Sequence, residues 1–335
     1  MTNPVLDTRR RPLRDLRISV TDRCNFRCRY CMPAEIFNRE YKFLSRDFLL
    51  TFEEITTLAR AFEQLGVQKI RLTGGEPLLR RGLEDLIEML STHTETEITL
   101  TTNGSLLARK AEALVSAGLD RVTVSLDSLD EEIFQSINDV GFPVADVLAG
   151  LDAAASVGLP VKVNAVIKRG VNEAGAVQMA TFFRGTGHIL RFIEYMDVGA
   201  TNGWRLDDVV PAADLIGAIN EVHPIEPVES NYPGEVASRW RYKDGQGELG
   251  FITSVTQPFC ATCTRARISA EGMLYTCLFA SEGTDLRSLV RGGADQESII
   301  GALSSVWATR DDRYSERRSD ATVGLPKVEM SYIGG

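Results

Sequence analysis

Three thiols set within eight residues constrain this chain more than any other stretch. They are Cys24, Cys28 and Cys31, in the run Asp22-Arg23-Cys24-Asn25-Phe26-Arg27-Cys28-Arg29-Tyr30-Cys31-Met32-Pro33. At C-x3-C-x2-C spacing they meet at one centre only if the backbone curls as a loop. The run offers three ligands and no fourth. A structural zinc ion normally takes four protein ligands, and so does a 4Fe–4S cluster held by protein alone. Three thiolates therefore point to a cluster with one iron open to a small molecule. Zinc with a distant fourth ligand is the alternative, although His93, His188 and His223 have no spacing that ties them to this loop. Soft thiolates suit iron–sulfur chemistry, and Phe26, Tyr30 and Met32-Pro33 would shield a cluster from water.

A second triad, Cys260, Cys263 and Cys277, has C-x2-C-x13-C spacing. A zinc ribbon would need a second C-x2-C, and the chain has six cysteines in all. A mixed site using one carboxylate is open as an alternative. Two clusters, each with an open iron, account most simply for three plus three. Between these ligands stands Thr264-Arg265-Ala266-Arg267. If Arg265 begins a strand, Arg265 and Arg267 share a face. Two guanidiniums there describe a pocket for an anion such as a phosphate chain, with a solvated strand face as the plain alternative.

The 335 residues have room for one large α/β domain with an appendage. A formal charge of −9 disfavours general nucleic-acid binding, but a local arginine cluster can still dominate a pocket. There is no apolar stretch of about 18 residues, so no membrane span is expected. The basic start lacks an apolar core, so reduced thiols in the cytoplasm are expected.

Apolar periodicity predicts strands at 13–21, 68–73, 97–102, 121–126, 161–167 and 190–195. Helices are predicted at 52–65, 82–90, 106–117, 130–138, 144–157 and 174–184. Thr51 and Glu54 form a capping-box pattern at the start of the first helix. Six alternating units predict a parallel sheet and fall short of a closed eight-unit barrel. No G-x-G-x-x-G follows the first strand, so an open barrel is expected over a doubly wound sheet. Past residue 200, 239–242, 249–254, 265–269 and 273–277 read as short antiparallel strands, followed by a helical region at 286–307. The expected organisation is a mobile segment at 1–12, a barrel core at 13–200, a C-terminal cluster-binding module at 201–320, and a tail at 321–335. Residues 138–143 are expected to be a surface loop.

The cysteine loop with an aromatic before its last thiol resembles the signature of the radical S-adenosylmethionine (SAM) superfamily. Gly74-Gly75-Glu76-Pro77 after the second strand resembles that superfamily's GGEP element. Thr101-Thr102-Asn103-Gly104, Val124-Ser125-Leu126-Asp127, Lys162-Val163-Asn164, Arg191–Met196, the second triad and Gly334-Gly335 resemble one branch of it. That branch converts GTP to 3′,8-cyclo-7,8-dihydro-GTP as the first step of molybdenum cofactor biosynthesis. The resemblance implies an incomplete (β/α)6 TIM-type barrel whose C-terminal α+β extension carries a second cluster. It implies two 4Fe–4S clusters, on Cys24, Cys28 and Cys31 and on Cys260, Cys263 and Cys277. Tyr30, Gly75, Glu76, Ser125 and Met196 would line the SAM site. Arg17, Lys69, Arg71, Thr102, Lys162, Arg191, Arg265 and Arg267 would surround GTP, with Arg17, Arg265 and Arg267 catalytic. The implied partners are an electron donor such as flavodoxin or ferredoxin, a second copy in a homodimer, and the downstream cyclic pyranopterin monophosphate synthase. The Gly-Gly end is expected to reach the active site.

Overall fold

The computed structural model describes residues 4–319 and 325–334. The expected repeat forms its centre. β1 (Asp15–Ser19), β2 (Lys69–Thr73), β3 (Glu97–Thr102), β4 (Arg121–Ser125), β5 (Val161–Ile167) and β6 (Ile189–Glu194) pair in chain order, each neighbour parallel. Between them lie α1 (Phe52–Gln64), α2 (Leu83–His93), α3 (Leu107–Ser116), α4 (Glu131–Asn138), α5 (Val144–Ser156) and α6 (Ala176–Phe183).

Period two sets the layers. In β5, Val161, Val163, Ala165 and Ile167 are buried in the core, while Lys162, Asn164 and Val166 alternate with them and line the lumen. α1 begins with the expected reciprocal cap. The Glu54 amide donates to Thr51 Oγ1 at 3.2 Å, and the Thr51 amide donates to Glu54 Oε2 at 2.8 Å. Two otherwise unpaired donors of the first turn are thereby satisfied.

The C-terminal strands differ from expectation in one respect. β7 (Ile225–Val228), β8 (Ser238–Tyr242) and β9 (Glu248–Ile252) form an antiparallel set, as do β10 (Arg265–Ile268), β11 (Met273–Tyr275) and β12 (Thr284–Asp285). Yet β9 also pairs in parallel with β6, and β10 with β1. The parallel arc thus holds eight strands in the order β10-β1-β2-β3-β4-β5-β6-β9. The physical reason is the edge: β1 and β6 would each present a row of unpaired backbone groups, and the later strands cover both. Among the described residues no pairing joins β7 to β12, so the barrel is incomplete.

The outer layer is completed by α7 (Ala212–Val222), which packs on α6, and by α9 (Gln296–Ala308), which packs on α1 after the short α8 (Arg287–Arg291). α10 (Met330–Ile333) lies against β1. The start of the chain, read from sequence as mobile, is tied down in its described part. Leu6 bridges to Pro12, and Asp7 and Arg11 are buried as an ion pair at 2.6 Å. That pair fixes the segment because an unpaired buried charge would be costly. No helix among the described residues is long and apolar enough to cross a membrane.

Candidate functional site

Parallel strands bring their C-terminal ends to one rim. From that rim β1 leads into the first cysteine loop, β2 into Gly74-Gly75-Glu76, β3 into Asn103, β4 into Asp127 and β6 into Met196. The Cys31 and Met32 amides both donate to the Cys28 carbonyl, at 2.9 and 2.8 Å, which curls the loop. The Gly75 and Glu76 amides donate to the carbonyls of Thr21 and Arg23 at 2.9 and 2.8 Å. A Cβ at Gly75 would overlap the Arg23 carbonyl, so this approach needs glycine.

Cys24 Sγ accepts from the Phe26 amide at 3.4 Å and from Asn103 Nδ2 at 3.8 Å. Burial pushes the free Cys24 thiol up to about 12; burial, then Asp127 and the neighbouring thiols, raises Cys28, and burial, then Cys24, raises Cys31. Glu76 is buried and accepts from Thr102 Oγ1, the Asn103 amide and the Leu78 amide. Burial nevertheless lifts its carboxyl to about 7. Asp127 accepts from the Tyr30 hydroxyl at 2.9 Å and the Val166 amide at 2.8 Å, and burial lifts it to about 6.

Residues 138–143 are not merely a surface loop. Asn138 is fully buried, its carbonyl accepts from the Arg27 amide at 2.9 Å, and the Phe142 ring lies 5.1 Å from that of Phe26. The stretch backs the cysteine loop, because the apolar Phe26 needs cover on its outer side.

The second triad lies at the other end of the barrel. Cys260 and Cys263 precede β10, which runs parallel to β1, and Cys277 follows the antiparallel β11. Cys263 Sγ accepts from Arg265 Nη2 at 3.2 Å and Arg310 Nη2 at 3.3 Å. Burial alone would raise this thiol, but the two guanidiniums outweigh it and hold it at about 6.

Between the triads runs a row of cations fixed by strand register. Arg267 of β10 pairs with Arg17 of β1, which pairs with Arg71 of β2. Thr123 of β4 pairs with Lys162 of β5, and Asn164 of β5 with Arg191 of β6. Arg71 Nη1 donates to Thr101 and Thr123 hydroxyls at 3.0 and 3.1 Å, and Arg191 Nε to Asn164 Oδ1 at 2.9 Å. Burial and the mutual repulsion of these cations depress Arg17 strongly, Arg267 to about 10, Arg191 to about 9 and Lys162 to about 7. Such a row is incomplete without an anion. Lys69 differs: it is ion-paired with Asp15 and donates to the Tyr232 hydroxyl at 3.2 Å.

One cavity of about 340 Å³ is lined by all six cysteines and by Arg17, Lys69, Arg71, Thr102, Lys162, Arg191, Arg265 and Arg267. Tyr30, Gly75, Ser125 and Met196 line it too, while Glu76 stands behind its wall. The hydroxyl of Thr102 is given to Glu76 and sits with the rim rather than in the arginine row. The tail reaches this space through Met330 and Ser331. Gly334 is buried, and Arg267 Nε donates to its carbonyl at 3.3 Å. Gly335 lies outside the described residues.

Among the described residues no group of three or more His, Cys, Asp or Glu is set as a single-ion site. The donor sets do fit clusters: each triad is all sulfur, faces the cavity, and has N–H donors directed at a sulfur. Several residues of the site escape sequence reasoning. The period of two could have found Asn164 beside Lys162. Nothing local marks Thr123, Arg310 or Asp7.

The fold and the three-thiol loop define the class, a radical SAM enzyme. The superfamily pattern, Radical SAM superfamily, matches residues 18–183, and Molybdenum Cofactor Synthesis C matches 188–316. SuiB of Streptococcus suis, in a structure bound to S-adenosylmethionine, superposes with a TM-score of 0.63 at 15% identity, covering 88% of this chain and 68% of that one. The curated GTP 3′,8-cyclase of Acidothermus cellulolyticus is 55% identical, and that of Staphylococcus epidermidis 47%, each over the whole of both chains. The chain belongs to the GTP 3′,8-cyclase family.

Proposed function

We infer that this protein is a GTP 3′,8-cyclase, catalysing the first step of molybdenum cofactor biosynthesis with SAM and 4Fe–4S clusters. The observation that carries the reading is the cation row held in one lumen between two cysteine triads. Cys24, Cys28 and Cys31 would hold the cluster that engages SAM, and Cys260, Cys263 and Cys277 a second one beside the guanine. When bound and reduced by an external electron donor, the first cluster would supply the electron for reductive cleavage of SAM and so the radical chemistry at C3′ of GTP. The second would hold the guanine whose C8 is joined.

The chain's own residues bind and orient. Tyr30, Gly75, Ser125 and Met196 would surround SAM, with Glu76 holding the rim around it. Arg17, Arg71, Lys162, Arg191, Arg265 and Arg267 would take the triphosphate and base, with Lys69 and Thr102 at the margins. GTP carries about four negative charges, and a row of cations in a low-dielectric cavity compensates them. The barrel wall would exclude water and hold C3′ near the reacting carbon. Arg17, Arg265 and Arg267, which line the cavity side by side on β1 and β10, would be the catalytic cations. An electron donor such as flavodoxin or ferredoxin, a homodimer, a cytoplasmic location and a downstream cyclic pyranopterin monophosphate synthase complete the proposal. Anaerobic incubation of reduced, cluster-loaded protein with SAM and GTP tests it. The expected products are 5′-deoxyadenosine and the cyclised nucleotide; SAM cleavage with GTP recovered unchanged would overturn the substrate assignment.

Lys162 adds a pH dependence. Burial first, then Arg191 and Arg121, lower its ammonium to about 7 in the free protein. A bound triphosphate favours the protonated form, so binding takes up a proton above pH 7 and weakens as pH rises. The affinity advantage of the parent protein over Lys162→Met should fall about tenfold between pH 6 and pH 8. Titration of GTP itself cancels in that ratio, which calorimetry at the two pH values would give. A constant ratio would show that Lys162 does not meet the anion.

A further inference from the structure

We propose that Asp197 is the positioning residue that seats the C-terminal tail, holding it so that the Gly334 carbonyl meets Arg267. Asp197 follows Met196 in the loop after β6 and is 1% exposed, yet it does not line the cavity. Its carboxylate collects donors from the last part of the chain. Oδ2 accepts from the Tyr314 hydroxyl at 2.6 Å and from Lys327 Nζ at 2.9 Å, and Oδ1 accepts from Arg318 Nε at 2.8 Å. Lys327 Nζ also donates to the Asp197 backbone carbonyl at 2.9 Å. Burial would raise this carboxyl, but Tyr314, Arg318 and Lys327 hold it below the ordinary carboxylate range.

The node is more than an ion pair. The rings of Phe279 and Tyr314 stack at 4.4 Å, and both the Lys327 ammonium and the Arg318 guanidinium lie over them. Phe279 stands two residues past Cys277 and lines the cavity. One buried carboxylate thus joins three walls: the loop of Met196, the segment behind Cys277, and the tail. Cations over aromatic faces out of water gain more than exposed ones. The node can therefore hold a chain end that has little core of its own.

From Lys327 the tail runs on through further contacts. The Val328 amide donates to the Ala280 carbonyl at 3.0 Å. Glu329 accepts from the Ala200 amide and the Thr201 hydroxyl, both at 3.0 Å. A Cβ at Gly199, where φ is +67°, would overlap the Glu329 carboxylate. Tyr332 is hydrogen-bonded to Glu271, and Gly334 then reaches Arg267. Residues 197–201 therefore grip the tail at two points, Lys327 and Glu329, ahead of Met330 and Ser331, which line the cavity, and of Gly334, which meets Arg267.

The test uses cluster-loaded protein and two variants, Asp197→Asn and Lys327→Met. Breaking a buried charge pair should raise the open population of the tail, so carboxypeptidase should release C-terminal residues about a hundredfold faster. With SAM and GTP present, 5′-deoxyadenosine formed per cyclised nucleotide should rise, kcat for cyclisation should fall, and KM for SAM should hold. Lys327→Arg should restore both readouts toward the parent, because it keeps the charge. Should Asp197→Asn lose iron or fail to fold, Lys327→Met decides alone, since it leaves the carboxylate paired with Arg318 and Tyr314. Parent-like release and parent-like coupling in Lys327→Met would overturn the proposal. The carboxypeptidase readout does not depend on the GTP-cyclising reading, so failure of either is seen separately.

Discussion

Arg267→Ala is expected to lower GTP cyclisation by about three orders of magnitude while iron content and SAM cleavage stay near the parent level. Arg267 is 3% exposed and lies in register with Arg17, which lies in register with Arg71. Burial first and then Arg265 lower it to about 10, so it remains charged at neutral pH. Truncating one partner of a buried, hydrogen-bonded charge pair costs about 2–5 kcal/mol. Here the same change also removes the donor to the Gly334 carbonyl. Together these reach about 4 kcal/mol, or roughly a thousandfold. Arg265→Ala is a less clean test. Its guanidinium donates to Cys263 Sγ and lies over the Phe259 ring, so that variant disturbs the triad as well.

A second observable separates this account from a purely structural role for Arg267. The free protein holds Arg17, Arg265 and Arg267 against one another, and their repulsion is part of what lowers Arg17. Removing one cation should therefore leave the thermal midpoint of the nucleotide-free protein unchanged or raised. Arg267→Lys should fall between parent and alanine, since a point charge replaces a planar fork. Cyclisation within threefold of the parent, or a lowered midpoint with lost iron, would contradict the assignment.

What was legible in the sequence follows from range. The six β/α units, the Thr51–Glu54 cap and the shared face of Arg265 and Arg267 depend on neighbours a few residues apart, and the structure agrees on each. Both triads were legible because spacing and side-chain chemistry are local too. That they stand at opposite ends of one barrel was not. It depends on β10 running parallel to β1, a pairing across some 250 residues that no local pattern encodes. Read as a local hairpin, the same strands give the β10–β11 pair and miss the sheet edge. The arginine row was hidden for the same reason: each member was visible, but register alone lines them up. Asn138 and Phe142 were misread because a turn-rich stretch resembles solvent-exposed loop until its partner, Phe26, is known.

Arg310 presents the extreme case of that long-range dependence, and its replacement should have the other large effect. Arg310→Gln is expected to reduce iron from about eight to about four per chain, the content of one 4Fe–4S cluster. One buried guanidinium makes most of the contacts around the second triad. Nη1 donates to the Cys263 carbonyl at 2.9 Å, Nη2 to Cys263 Sγ at 3.3 Å, and Nε to the carbonyl of Thr276, next to Cys277, at 3.1 Å. It is itself held by Asp7 Oδ2 at 3.0 Å and lies over the Trp307 ring. Arg11, on the same carboxylate, donates to the Cys260 carbonyl at 2.7 Å. The start of the chain and the residue two past α9 thus clamp all three ligand segments, Arg310 from a position that also lines the cavity. Glutamine is too short to span Cys263 and Thr276 together, and it leaves Asp7 paired with Arg11 alone. Cys24, Cys28 and Cys31 lie at the far rim, so SAM cleavage should persist while cyclisation is lost. Asp7→Asn, which keeps Arg310 in place by its other bonds, should lose less iron. Iron and acid-labile sulfide counts with low-temperature EPR of the reduced protein would decide it. Eight irons with a parent spectrum in Arg310→Gln would mean that the triad assembles without its clamp.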